Sequence, residues 1–379
     1  MTRLYDDPAF FAEDMLAGFA DAYSRYVVPV DGGVVRCNET SAGKVAVVVG
    51  GGAGHYPAFC GLVGAGMADG AVVGNVFTSP SAQQAFNVAR AAEAGGGVLF
   101  CFGNYAGDVI NFGQAQDRLI AEGINARTVL VADDIASAPP QSQEKRRGIA
   151  GDLIVFKIAG AAAEWGRDLD EVARLASKAN ERTRSMGLAF AGCTLPGASE
   201  PLFSLPSGKV GLGLGIHGEP GISEIDLCSA ADLAQFLVRP LLEEGRGEWG
   251  SRVAVLLNGL GTTKYEELFV LWRTIAALLV AAGLEILEPE VGELVTSLDM
   301  AGCSLSLCWL DEELEPLWQA GADTAAYRKP HGPEQRLLSG SRRPVPAKLS
   351  QTATSPHGVG QLRDSLLRWW RRSKPSPSP

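Results

Sequence analysis

The chain has 379 residues, a net charge of −10 and 46% hydrophobic residues, which is the composition of a globular protein long enough for two domains. This acidic balance argues against a nucleic-acid-binding surface, and no apolar run approaches the roughly 20 residues that span a bilayer. The N-terminus has no apolar signal-peptide core, so we expect a cytoplasmic protein.

Short apolar runs alternate with Ala-rich segments along most of the chain. The run at 44–49, KVAVVV, predicts a strand buried on both faces. Helices are predicted at 81–93, which begins with a Ser cap after Pro80, and at 169–184, which has apolar residues at helical spacing. Further strands are predicted at 97–100, 128–131, 210–216, 253–257, 284–287 and 304–309. The alternation predicts an α/β fold with two α/β domains, each a mixed sheet flanked by helices.

The stretch 185–210 is rich in Pro and has little periodicity, which predicts a loop-rich boundary. We therefore expect an N-terminal α/β domain at 1–184, a C-terminal α/β domain at 185–335, and a linker and tail at 336–379.

The C-terminal tail differs in charge from the rest of the chain. From residue 341 onward there are eight basic residues and one acidic residue, a net charge of +7, which leaves −17 for the remainder. This composition predicts disorder. Within it, QLRDSLLRWWRRS has a short amphipathic pattern, which indicates packing on the protein or a partner; the alternative is a membrane surface.

Seven cysteines are scattered without a CxxC pair, several in apolar surroundings, which predicts buried thiols in a reducing compartment. Metal ligation needs clustered Cys or His, so the sequence predicts no metal site. The cysteines are Cys37, Cys60, Cys101, Cys193, Cys228, Cys303 and Cys308.

The first candidate site residue is His55, in VVVGGGAGHYPAF. A buried strand that runs into glycines predicts a sharp turn at the carboxyl edge of a sheet, where open α/β folds bind ligands. Glycines let the backbone approach a ligand closely. The segment lacks the Gly-Lys-Ser/Thr ending of a phosphate-binding P-loop. Pro57 interrupts the helix start that a dinucleotide fingerprint needs.

The second candidate is Asp108, in GNYAGDVINF, which follows the apolar strand VLFCF. A carboxylate at this place is either a helix cap or a base that faces a cleft. Asn104, Tyr105 and Asn111 are suitable hydrogen-bond partners for it.

The third candidate is His217, in VGLGLGIHGEPGI. Alternating glycines in a strand leave room for a ligand to lie against the backbone, and the His follows at the strand's end. A single His is usually structural. However, His55 and His217 both lie in Gly-rich strand-to-loop turns, so with Asp108 they form a candidate His/His/Asp site.

Five segments together resemble the substrate-binding subunit or domain of the dihydroxyacetone kinase family, in order across about residues 15–330. They are VVGGGAGHYPAFCGLVGAGMADGAVVGNVFTSPS, GNYAGDVINF, GLGIHGEPG, LLNGLGTTKYEEL and TSLDMAGCSLSL. The resemblance implies a two-domain α/β subunit, usually a homodimer, that binds a small ketose.

The resemblance also implies roles for the site residues. His217 forms a hemiaminal with the ketone carbon of the substrate, while His55 and Asp108 contact and activate the hydroxyl that receives phosphate. The other pocket residues that it implies are Gly52, whose backbone lies against the substrate, and Phe77, Thr78 and Ser79.

Two positions depart from many members of that family. Tyr56 follows the loop His where many members have Glu, and Gly103 precedes the Asn-Tyr pair where many have Lys. Both forms resemble the branch that acts on erythrulose. The expected substrate is therefore dihydroxyacetone or erythrulose.

The chain contains no Walker loop, no protein-kinase signature and no Asp-Gly-Asp-His cluster of the kind that holds magnesium and nucleotide in that family's second domain. We therefore expect no cofactor on this chain, with ATP-Mg or a phosphorylated partner as donor on another, nucleotide-binding kinase subunit. The leading hypothesis is the substrate-binding component of a dihydroxyacetone or erythrulose kinase. The alternatives are a non-catalytic ketose-binding regulatory module, which would need no His55 or Asp108, and an inactive truncated kinase.

Overall fold

The computed structural model describes residues 2–38, 40–245 and 249–330. It contains two large mixed sheets with helices on their faces. The predicted α/β fold is confirmed. The strands are β1 Val27–Val30, β2 Gly33–Arg36, β3 Ala46–Ala53, β4 Gly64–Ala65, β5 Gly70–Val76, β6 Val98–Gly103, β7 Ala126–Val131, β8 Thr183–Ala191, β9 Lys209–Leu212, β10 Ser223–Asp226, β11 Arg252–Gly259, β12 Glu285–Ile286, β13 Glu290–Gly292, β14 Ala301–Trp309, β15 Ala322–Thr324 and β16 Arg328–Lys329. The helices are α1 Phe11–Ala22, α2 Ala82–Ala92, α3 Ala106–Ala121, α4 Asp152–Glu164, α5 Leu169–Glu181, α6 Ala230–Glu244, α7 Tyr265–Ala281 and α8 Leu314–Gln319.

The first sheet has the strand order β1-β2-β5-β3-β6-β7. Strands β5, β3, β6 and β7 are parallel, whereas β1 and β2 form an antiparallel hairpin at one side. The strands predicted at 44–49, 97–100 and 128–131 are confirmed as β3, β6 and β7. Since parallel strands end at the same edge, the residues after β3 and β6 lie near one another.

Strand β3 is buried on both faces, as its apolar run predicts. Val47 and Val49 belong to the core that also contains α4 and α5, whereas Ala46 and Val48 face the core that contains α2 and α3. Side chains of a strand alternate between faces, so a strand between two helical layers must be apolar throughout.

The second sheet has the order β10-β9-β8-β14-β11-β12, and β13 also pairs with β11. Its central strands are antiparallel, while β12 and β13 run parallel to β11. The strands predicted at 253–257 and 304–309 are confirmed as β11 and β14, and that at 284–287 is reduced to the two residues of β12.

The prediction of a loop-rich boundary over 185–210 is wrong for its first part, because β8 is a central strand of the second sheet. Its sequence contains polar residues that tertiary partners satisfy. Arg184 pairs with Glu244, and the Ser185 hydroxyl lies 2.5 Å from that of Ser306. The helix predicted at 169–184 accordingly ends at Glu181.

The glycines of the two Gly-rich segments also lie elsewhere than predicted. Gly50 and Gly52 are inside β3, because pairing with β5 continues through them, and the turn follows only at Gly54. The strand predicted at 210–216 ends at Leu212, since Gly213 has a φ of 71°, which favours glycine and breaks an extended strand.

The strands up to residue 131 form the first sheet and those from 183 to 309 the second, while β4 pairs with β15 in a third, three-stranded sheet. The division into two domains between residues 184 and 185 stays a prediction. The predicted tail lies outside the described residues.

Within the described ranges, no helix combines the length and apolarity needed to cross a membrane, and no group of three or more His, Cys, Asp or Glu could hold a metal. All seven cysteines are free thiols, and the prediction of burial is confirmed for Cys60, Cys101, Cys193, Cys303 and Cys308.

Candidate functional site

His55 follows the carboxyl end of β3 and is almost completely buried, with 2% of its surface exposed. The strand ends at Ala53, and Gly54 has a φ of 103°, which allows the sharp turn that brings His55 inward. The ring Nδ1 lies 2.7 Å from the carbonyl oxygen of Thr296, and the Thr296 N–H donates to the His55 carbonyl at 3.2 Å. The ring is therefore held by a segment that is 241 residues away in sequence.

Buried Asn258, in β11, holds the segment that binds His55. Its side-chain oxygen accepts from the backbone N–H groups of Leu294 and Val295, each at 2.9 Å, and its amide donates to Val295 O at 2.7 Å. Three hydrogen bonds from one side chain fix the backbone just before Thr296. The orientation of His55 thus depends on a residue of the second sheet.

His217 lies in the turn between β9 and β10, and its Nε2 is 3.0 Å from the Nε2 of His55. The carboxylate of Glu219 binds the same residue twice. Its Oε1 lies 3.1 Å from His217 Nδ1, and its Oε2 accepts from the His217 backbone N–H at 2.9 Å. The edge of the Tyr105 ring also contacts His217, with ring centroids 4.8 Å apart. The site therefore contains two imidazole rings at hydrogen-bond distance from each other.

An arginine stands behind this carboxylate. Arg147 Nη1 lies 3.8 Å from Glu219 Oε2, while Nη2 of the same guanidinium is 2.8 Å from buried Asp134. Burial acts to raise the pKa of Glu219, but the hydrogen bond and charge of His217, together with Arg147, hold it at about 2. Burial raises the pKa of Asp134 to about 6 in spite of Arg147. A Cβ at Gly215 would lie 2.1 Å from Glu219 Oε2 and 2.8 Å from Arg147 Nη1, so an added methyl group would displace these two side chains.

Asp108 is the third residue of α3, and the N-cap of that helix is Tyr105, so Asp108 is not the cap. It is 9% exposed, and its Oδ1 has no hydrogen-bond partner among the described residues. Burial raises the pKa of Asp108, while Ser79 and the charge of His217 act in the opposite direction. A buried carboxylate oxygen without a partner is costly, which is typical of a group that meets a ligand.

The three side chains expected to bond to Asp108 donate to other groups. Asn104 donates to Arg146 O at 2.8 Å, Tyr105 to Gly148 O at 2.9 Å and Asn111 to Ser79 Oγ at 3.2 Å. Asn111 and Asp108 therefore both interact with Ser79.

Gly52 lies directly against the backbone of the next segment. A Cβ at this position would be 2.6 Å from Thr78 N and 2.9 Å from the Cα of Phe77. Phe77 has a φ of 54°, unusual for a residue with a side chain, and its ring stacks on His55 with centroids 5.0 Å apart. It also contacts His217 edge-on at 5.2 Å. Gly52, Phe77 and Thr78 therefore form one wall beside the histidine pair.

The two positions that depart from many family members lie in different surroundings. Gly103 ends β6, and a Cβ there would be 3.1 Å from the Tyr105 ring and 3.4 Å from the carboxylate of Asp152. Burial raises the pKa of Asp152 well above its ordinary value. Tyr56 packs its ring on Phe19 of α1, with centroids 5.8 Å apart. Gly103 thus lies against the Tyr105 ring, which contacts His217, whereas the Tyr56 side chain packs on α1.

Three further residues of the site, Glu219, Arg147 and Thr296, were not predicted from the sequence. A signal exists for Glu219, since a carboxylate two residues after a His in a tight turn can reach its Nδ1. No local pattern could show Arg147, which lies 70 positions before His217 in the chain. Thr296 acts through its carbonyl, which any residue could supply.

Comparison with known proteins places the chain in a protein family. The Dak1 domain model matches residues 17–326, and the chain belongs to this family. It is 60% identical over 364 residues to the D-erythrulose kinase of Mycolicibacterium smegmatis, which covers 96% of this chain but 62% of the relative. It is 41% identical to the dihydroxyacetone-binding subunit DhaK of the PTS-dependent dihydroxyacetone kinase 2 of Listeria innocua, over 86% of this chain and 99% of that subunit.

Solved structures have the same fold. The native dihydroxyacetone kinase of C. freundii matches with a TM-score of 0.80 and 32% identity, over 94% of this chain and 63% of that one. The dihydroxyacetone kinase operon co-activator Dha-DhaQ matches with a TM-score of 0.79 and 30% identity, over 84% of this chain and 99% of that one. The chain is therefore a member of the dihydroxyacetone and erythrulose kinase family, and it spans about six tenths of the erythrulose kinase above.

Proposed function

We propose that this chain binds a short ketose as a hemiaminal on His217 and presents one of its hydroxyls for phosphorylation. The observation that supports this best is the hydrogen bond between His217 Nδ1 and Glu219. Because the carboxylate accepts a hydrogen bond from Nδ1–H, Nε2 is the ring nitrogen left to attack a carbonyl carbon. A polyol such as glycerol has no carbonyl and is rejected.

The covalent step balances with groups that are already present. The His217 Nε2 lone pair forms the bond to the ketone carbon as the C=O π bond breaks, and the oxygen then needs a proton. His55 Nε2, 3.0 Å from His217 Nε2, is placed to take a proton held between the two nitrogens, which frees this lone pair, and to pass that proton to the oxygen. The adduct retains Nδ1–H as a cationic, N-substituted ring, whose charge Glu219 offsets.

Asp108 is proposed to accept the proton of the hydroxyl that receives phosphate, with His55 as a second contact. Its unpartnered, buried oxygen and raised pKa support this role, since a base works best when its pKa approaches the operating pH. Gly52, Phe77, Thr78 and Ser79 complete the pocket in this proposal. Asp108 and the histidine pair are close enough to interact electrostatically.

Erythrulose is the proposed substrate before dihydroxyacetone, because 60% identity to a D-erythrulose kinase exceeds 41% identity to a dihydroxyacetone-binding subunit. The donor is proposed to be ATP-Mg or a phosphorylated partner, held on a separate nucleotide-binding kinase subunit or domain. The protein is further proposed to be a cytoplasmic homodimer.

Intact native mass spectrometry tests the covalent step. With erythrulose or dihydroxyacetone we expect a mass increase of one whole ketose without loss of water, and no increase with glycerol. His217→Ala should abolish the adduct. As a matched control, Glu224→Gln changes an exposed carboxylate of β10 and should leave the adduct intact. An adduct that persists in His217→Ala would overturn the assignment.

A ketose-binding regulatory module is the second candidate. The similarity to the dihydroxyacetone kinase operon co-activator, over 99% of its length, favours it. The two functions make different demands on Asp108. A module that only binds ketose needs the anchor at His217, whereas a kinase component also needs a base at the hydroxyl.

A further inference from the structure

The hydrogen bonds of the two site histidines determine where their protons lie. The Nδ1 atom of His55 faces the carbonyl oxygen of Thr296, and the Nδ1 atom of His217 faces the carboxylate of Glu219. Both partners can only accept a hydrogen bond. Each Nδ1 therefore bears a proton. A neutral imidazole has a single N–H, so in two neutral rings neither Nε2 would bear a proton.

The two Nε2 atoms nevertheless lie 3.0 Å apart, at hydrogen-bond distance. Two neutral rings with protons on Nδ1 would direct a lone pair at each other from these atoms, which is repulsive. One additional proton between them converts the contact into a hydrogen bond. We propose that the free protein holds the His55–His217 pair with three N–H protons and a net charge of +1, and that Glu219 is the positioning residue that keeps this charge in place.

The carboxylate that offsets the proposed charge lies on the His217 side of the pair. His55 is almost fully buried, and burial, with the neighbouring His217, lowers its pKa to about 3. His217 is 23% exposed and contacts the Glu219 carboxylate. The other charged or titratable groups that face the pair are Asp108 from α3, Tyr105 from the start of α3 and Arg147. Asp134 is paired with Arg147, so the positive charge of Arg147 is partly offset.

The number of protons on the His55–His217 pair affects ketose binding, in a prediction that rests on the proposed function. In the wild type the free pair and the adduct bear the same number of protons, so adduct formation takes up none. Glu219→Gln keeps an acceptor for Nδ1–H but removes the negative charge. The free variant should then lose the shared proton at neutral pH and must take one up to form the adduct. Its adduct equilibrium constant should rise up to about tenfold for each unit of pH decrease, whereas that of the wild type stays flat.

The number of protons on the pair is itself tested without any ketose. Nitrogen NMR of histidine-labelled protein distinguishes protonated from unprotonated ring nitrogens, and single-histidine variants assign the four histidines of the chain. At pH 7.5 we expect one unprotonated nitrogen among the four of the His55–His217 pair in the wild type. Glu219→Gln should show two. Glu224→Gln, an exposed carboxylate of the same sheet, should match the wild type.

Two unprotonated nitrogens in the wild type at pH 7.5 would overturn the proposal, as would an unchanged count in folded Glu219→Gln. If that variant does not fold, alkaline titration of the wild type decides. The count should change from one to two as pH rises, and a count of two throughout contradicts the shared proton. Failure of the ketose adduct in mass spectrometry would refute the proposed function but leave the NMR result standing.

Discussion

In the proposed function, Asp108 activates the substrate hydroxyl but is not needed to hold the substrate. Asp108→Asn keeps the size of the side chain but removes its basic oxygen. With the nucleotide-bearing partner of a related kinase present, we expect turnover to fall by roughly 10²- to 10⁴-fold, as for loss of a general base. The ketose adduct on His217 should persist. The paired measurement is adduct occupancy by mass spectrometry and phosphate transfer.

A wild-type rate of transfer in Asp108→Asn would favour the regulatory module over the kinase component. Asp117→Asn is a suitable control, since this second aspartate of α3 lies nine residues further along the same helix. It should leave both adduct and transfer unchanged.

His55 makes the stability of the fold depend on pH. Its pKa is about 3 in the folded protein, below its ordinary value, so between pH 6.5 and 3 the unfolded chain binds a proton that the folded chain does not. Stability is therefore lost as pH falls through this window. From pH 6.5 to 5 the loss from this residue is about 2 kcal/mol.

His55→Asn retains a donor for Thr296 O but has no titrating ring. Urea denaturation at pH 6.5 and pH 5 should show that the variant loses about 2 kcal/mol less than the wild type across this step. The contribution of Glu219 changes little above pH 4.5, because both its folded pKa of about 2 and its ordinary pKa of 4.5 are at or below that pH. Equal losses in both proteins would show that His55 is not held neutral.

At the scale of elements, the wall of the site depends on one glycine inside β3. Gly52→Ala places a methyl group 2.6 Å from Thr78 N, so the segment after β5 must move away from the histidine pair. We expect a loss of about 1–3 kcal/mol in stability and a weaker ketose adduct. Gly113→Ala in α3 is the matched control, since nothing lies within 4 Å of the added methyl group. It should be neutral or stabilising by about 0.5–1 kcal/mol.

Elements with a local apolar signal were predictable, and those that depend on distant partners were not. Strand β3 could be read from KVAVVV because both of its faces are buried. Strand β8 could not, since its buried Arg184 and Ser185 look like surface residues until Glu244 and Ser306 are brought beside them. Local pattern shows burial by apolar neighbours but not burial satisfied by polar ones.

The candidate site shows the same limit. His55, Asp108 and His217 follow Gly-rich strand ends, which is a local feature, and the resemblance supplied their roles. The partners that orient them come from the other sheet or from a distant loop, as with Thr296 and Arg147. The assembled fold determines which residues orient the site side chains, so a single sequence contains no separate sign of these partners.

For the whole molecule, we expect that the purified chain alone will not phosphorylate a ketose from ATP. The sequence has no recognisable nucleotide motif, and the chain spans 62% of the D-erythrulose kinase that it resembles. Activity should appear when the nucleotide-bearing part of a related kinase is added, as measured by release of ketose phosphate. Robust turnover by the chain alone would reveal a nucleotide site on it.

The distance in sequence between the two rings has a consequence for the biogenesis of the protein. His55 and His217 are 162 positions apart, and the Thr296 carbonyl that orients His55 is a further 79 beyond. Contacts of such long range form late, because chain entropy must be lost before they can stabilise anything. A nascent chain that has emerged only as far as the first sheet therefore has no ligand-binding competence. A ligand of this site cannot template folding; it can only stabilise chains that have finished, by mass action, and so protect them from degradation.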